Sequence, residues 1–154
     1  MTQALKHPSL KRKRITPALL EIIELAKGNH EDRSDGLCAA EAVSWLAGEP
    51  HSDHPACMSP LIGVFIRRWN DDLDDAGRQR LKPYLPRLIG TADGQGEARG
   101  WLLVDWLIRH YTPAWLDLAK VSGPAAALRA LPPVTRETVH LLAEPVRDAK
   151  QQAA

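Results

Sequence analysis

A chain of 154 residues with 44% apolar and 25% charged side chains is long enough for a folded domain and too apolar to be disordered throughout. Two cysteines exclude a disulfide-rich scaffold. The formal net charge of +1 is divided unevenly, because residues 1–14 carry Lys6, Lys11, Arg12, Lys13 and Arg14 with no acid, and the remainder sets 15 basic against 19 acidic residues.

The punctuation along the chain is helical. Residues 1–14 read as a flexible basic tail ahead of an all-α domain over residues 15–150. Thr16-Pro17 is an N-cap followed by a first-turn proline, and the apolar spacing after it predicts a helix that Gly28 closes. Residues 29–36 are a polar loop. An Ala-rich helix from about Leu37 to Ala47 stops at Gly48. Ser59-Pro60 repeats the cap-and-proline start, and Leu61, Ile62, Val64, Phe65, Ile66 and Trp69 supply an apolar face. Pro83 and Pro86 break the helix that begins near Asp75 into short pieces ending near Gly90. Residues 97–111 should form the most buried helix, because apolar side chains surround its axis. Thr112-Pro113 opens another helix. An Ala/Leu helix follows Gly123-Pro124, and Thr135 caps a last one containing Pro145. No strand pair or hairpin turn appears. The fold class is therefore all-α: a single compact domain of six or seven helices with short Pro-containing connections.

No apolar run approaches the ~20 residues of a membrane span. No apolar signal core follows the basic N-terminus. The expectation is a cytoplasmic protein with reduced thiols and no membrane contact.

Chemistry concentrates between Cys38 and Cys57. Cys38, His51, His54 and Cys57 are the right donor types for a tetrahedral Cys₂His₂ zinc site, although no Cys-x-x-Cys pair anchors it. In a second reading Cys38 is a helix-N-terminal nucleophile, with His54 as base and Asp53 or Asp35 orienting it. In a third, both thiols are packing groups and there is no cofactor. Asp105, enclosed by Trp, Leu and Val, needs a partner such as Arg109, Arg67 or Arg68, or else serves as a base of raised pKa in a cleft. Arg67, Arg68, Trp69 and Trp115 are the residue types of protein interfaces. Lys11, Arg12, Lys13 and Arg14 could contact nucleic-acid phosphates weakly and without specificity.

The motifs Cys38-x-x-Glu41-Ala42, Gly48-Glu49-Pro50, Ser52-Asp53-His54-Pro55-x-Cys57, Phe65-x-x-x-Trp69-Asn70, Leu85-Pro86-x-Leu88-x-Gly90-Thr91, Asp105-Trp106 and Thr112-Pro113-Ala114-Trp115-Leu116 span about half the chain. In these the chain resembles a family of small bacterial proteins common in actinobacteria and their phages. No activity attaches to that family, so the resemblance transfers no function, and a phage- or defence-related setting is an expectation only. No glycine-rich phosphate loop, dinucleotide fingerprint or metalloprotease motif is present. The expected function is a small helical binding or regulatory protein acting through protein–protein contact. The alternatives are a Cys/His metal or thiol protein and a nucleic-acid-associated protein using its tail.

Overall fold

The structure, a computed structural model, describes residues 15–153. The basic run 11–14 lies outside the described residues. Those described are helical, with no strand among them. No helix among them is long and apolar enough to cross a membrane. The chain divides into two compact units, one up to Gly96 and one from Glu97 onward.

In the first unit, Thr16 caps α1 (Pro17–Glu21) by accepting from the Leu19 amide at 3.2 Å. The helix expected to run to Gly28 ends at Glu21. Tertiary partners claim the backbone that would have continued it. Gln79 brackets Leu25, its Oε1 accepting from the Leu25 amide at 3.0 Å and its Nε2 donating to the Leu25 carbonyl at 2.8 Å. Asn70 Nδ2 donates to the Ala26 carbonyl at 3.0 Å, and Asp71 Oδ1 accepts from the Gly28 amide at 2.8 Å. Helix propensity is a weak prior, and here side-chain amides from α3 and α4 outcompete it.

The remaining elements of this unit are α2 (Ala39–Ala47), α3 (Pro60–Asp72), α4 (Asp75–Gln79), a 3₁₀ turn (Lys82–Tyr84) and α5 (Leu85–Leu88). The broken helix expected around Pro83 and Pro86 is present in this form. Helix α2 ends at Gly48 in the left-handed conformation, φ 75°. Its Ala39, Ala40, Ala42, Val43 and Leu46 form the centre of the core with Ile23, Leu25, Met58, Ile66, Leu81 and Leu85. Small side chains on α2 let α3 and α5 approach closely. Helix α3 departs from the single apolar face expected of it. Gly63, Ile66 and Asn70 turn inward, whereas Val64, Phe65 and Trp69 are exposed.

The second unit holds α6 (Gly96–Trp106), a π-helical turn (Leu107–Tyr111), α7 (Thr112–Leu118), α8 (Ser122–Arg129), a 3₁₀ turn (Val139–Leu142) and α9 (Ala143–Gln152). Thr112 is helical rather than a cap, so the chain runs from the π turn into α7 without a break. Pro113 offers no amide to the preceding turn, and the widened π turn lies just before it. Helix α6, expected to be the most buried, has no buried residue. The core of this unit lies elsewhere, on Leu116, Ala125, Leu128 and Ala149 of α7, α8 and α9. Pro145 falls in the first turns of α9, where its missing amide is tolerated, and the helix extends to Gln152.

Candidate functional site

The best-organised polar site centres on Glu41, a carboxylate 1% exposed in the first turn of α2. Its spacing from Cys38 builds a capping box. Cys38 Sγ accepts from the Glu41 amide at 3.5 Å, and Glu41 Oε2 accepts from the Cys38 amide at 2.7 Å. The same carboxylate captures the 29–36 loop, Oε1 accepting from the His30 amide at 2.7 Å. Its Oε2 accepts from His30 Nδ1 at 2.8 Å. An ionised carboxylate only accepts, so the ring proton sits on His30 Nδ1. Burial pushes the Glu41 carboxyl up, but the bonds from Cys38 and His30 outweigh it and hold the group below its ordinary value of 4.5. The other edge of the His30 ring rests on Gly36. A Cβ there would come within 2.6 Å of the imidazole, and φ at this residue is +144°, so glycine is required on both counts. His51 Nε2 donates to the His30 carbonyl at 3.0 Å and stands 3.8 Å from Glu41 Oε1.

The Cys/His residues are therefore assigned to structure one at a time. Cys38 is the buried cap of α2. His51 braces His30. His54 is largely exposed, its Nδ1 2.6 Å from Asp53 Oδ1. Cys57 is half-buried, and its carbonyl accepts from the Gly90 and Ala92 amides. The four do not form a donor set. Among the described residues, no three His, Cys, Asp or Glu side chains are grouped to hold a metal ion.

Nor does the thiol arrangement suit a nucleophile. Burial pushes the Cys38 thiol up to about 12, despite its place at a helix N-terminus. Burial, helped by the nearby Glu49 carboxylate, pushes Cys57 to about 11. A thiol with a pKa near 12 is thiolate in only about one molecule in 10⁵ at pH 7. In the folded protein Cys38 should alkylate with iodoacetamide more than about a hundredfold slower than a free cysteine at neutral pH. It should react freely in urea. Mass-spectrometric labelling kinetics check this, and a free-thiol rate in the native protein would restore the nucleophile reading.

Asp105 serves the first of the two roles foreseen for it. Arg109 Nε and Nη2 donate to its two oxygens at 2.7 and 3.3 Å. The Val134 amide donates to Oδ1 at 2.8 Å, and Arg109 Nη1 donates to the Leu131 carbonyl at 3.1 Å. The pair therefore pins the 131–134 connection onto the helix. The Arg109 guanidinium holds the Asp105 carboxyl below its ordinary value, the reverse of what a general base at neutral pH needs.

Of the interface candidates, Arg68, Trp69 and Trp115 lie at the surface and Arg67 is half-buried. Trp69 meets Phe65 edge-to-face, with ring centroids 5.6 Å apart. Trp115 is the outer member of a ladder with Tyr111 and Trp106, at centroid separations of 6.1 and 5.1 Å. Sequence reasoning missed Glu41, His30, Asn70, Gln79 and Asp71. Only Glu41 carried a local signal, the i to i+3 spacing from its cap. Compared with family models, with curated proteins and with solved structures, the chain matches none.

Proposed function

We propose that this chain is a helical protein-binding module that uses outward-facing aromatic side chains. The observation that carries this reading is the Trp106–Tyr111–Trp115 ladder, whose members are 48%, 44% and 58% exposed. Scattered apolar residues on a surface are ordinary, but clustered exposed aromatics are the side chains that anchor interfaces. Leu102 and Leu118 are also exposed in the same unit, and the Phe65–Trp69 pair offers an aromatic face in the first. The occupant is a folded protein presenting apolar side chains, in a reducing compartment that suits two free thiols. Helix α6 agrees with this use, since it adds no residue to the core and its Leu102 and Trp106 are exposed.

The test is a Trp106→Ser/Trp115→Ser double variant, compared with the native chain for co-purifying proteins and for sedimentation. The expected result is unchanged helix content with loss of the partner. A folded double variant that retains the same partners overturns the reading, as does a native chain that only self-associates.

A further inference from the structure

Arg67 and Asp71 lie four residues apart on α3, a spacing at which opposite charges usually meet. The adjacent pair of the same spacing does meet: Arg68 Nε donates to Asp72 Oδ2 at 2.7 Å. Arg67 and Asp71 are instead drawn to opposite flanks. Arg67 Nη1 donates to the Asp53 carbonyl at 2.7 Å. Its guanidinium lies back along the helix over Gly63, where a Cβ would stand only 3.2 Å from Nη1. Asp71 Oδ1 accepts from the Gly28 amide at 2.8 Å and from Asn70 Nδ2 at 3.0 Å. Asp71 Oδ2 and the remaining guanidinium nitrogens of Arg67 make no hydrogen bond among the described residues. A cleft of about 350 Å³ is lined by these two side chains together with Gly28, Asn29, Cys38, Asp53 and Arg68.

We propose that this cleft binds a free α-amino acid as its zwitterion, with the carboxylate on Arg67 and the ammonium on Asp71. The lining carries two guanidiniums and two carboxylates, so it offers no net attraction to a simple anion or cation. A ligand bearing both charges can engage Arg67 and Asp71 together, since both line the cleft. The charged groups are set before binding, because each is already tied to the backbone of a flanking loop, which limits the ordering cost. Arg67 supplies a planar donor fork suited to a carboxylate. Asp71 stays ionised. Burial pushes its carboxyl up, but the Gly28 amide, Asn70 and the nearby cations hold it below its ordinary value. The volume falls near the lower end of the range for small-molecule pockets, about 300–1,000 Å³, which suits a ligand of amino-acid size.

The experiment titrates the full chain with pools of free amino acids and follows backbone amide signals by NMR. Each amino acid that binds is retested as its N-acetylated and its C-amidated form. The proposal expects saturable shifts at Gly28, Asn29 and Asp71 with a free amino acid and none with either blocked form. Arg67→Gln should weaken binding at least about tenfold, the loss expected for a hydrogen bond to a charged group. No saturable binding by any free amino acid overturns the proposal. So does equal binding of a blocked form, a comparison made on the native chain that needs no variant to fold.

Discussion

Replacing Glu41 with Gln should destabilise α2 and the 29–36 loop by about 3 kcal/mol, although the side chain keeps its shape. Glu41 accepts from three donors: the Cys38 amide, the His30 amide and His30 Nδ1. An amide has one accepting oxygen and turns its NH₂ toward a donor, so at least one buried N–H loses its partner at a cost of about 1–3 kcal/mol. The remaining bonds lose their charge assistance. Hydrogen exchange of the α2 amides reads the loss directly, and a change below about 1 kcal/mol would show that the carboxylate is not what ties the loop to the helix. Acid should imitate the substitution. The folded-state pKa of Glu41 is depressed below 4.5. Its contribution is therefore complete above the unfolded value and disappears as pH falls through the folded one. Exchange protection in α2 should hold at pH 6 and fall below about pH 4 in the native chain. Glu41→Gln should flatten that acid limb.

What was legible in the sequence is what local chemistry decides. Thr16-Pro17 and Ser59-Pro60 start helices, Gly48 stops one, and Pro83 with Pro86 cuts one into pieces. What was not legible depends on residues distant in the chain. Nothing near Leu25 announces that Gln79, 54 positions on, will take both of its backbone groups. The exposure of α6 was misread for a similar reason. Its run from Trp101 to Trp106 is apolar apart from Asp105, which describes a buried helix or one carrying a binding face, and the sequence does not distinguish them. The Cys/His segment misled in the opposite direction. Its residue types carry chemistry, but a cysteine at an N-cap with glutamate three residues later is also a helix-start signal, and that role consumes Cys38.

Asn70→Ala should cost the first unit about 3–4 kcal/mol and release residues 23–28. Asn70 is 0% exposed and joins three segments. Its Oδ1 accepts from the Ala39 amide at 3.1 Å, at the start of α2. Its Nδ2 donates to the Ala26 carbonyl and to Asp71 Oδ1, both at 3.0 Å. Alanine leaves an amide and a carbonyl buried without partners and opens a cavity. Arg78→Met tests the same knot from the other side. The Arg78 guanidinium, buried in its own unit, donates to the Asn70 carbonyl at 2.9 Å and to the Leu73 carbonyl at 2.8 Å. Methionine fills much of the space but satisfies neither carbonyl, so a loss of about 2–3 kcal/mol is expected. Arg68→Ala, which removes an exposed pair with Asp72, should cost less than about 0.5 kcal/mol. Urea unfolding ranks the three variants, and hydrogen exchange at the Leu25 and Gly28 amides shows where the loss falls. Equal effects from Arg68→Ala and Asn70→Ala would mean that surface charge, and not the buried bridge, holds the 23–28 segment in place.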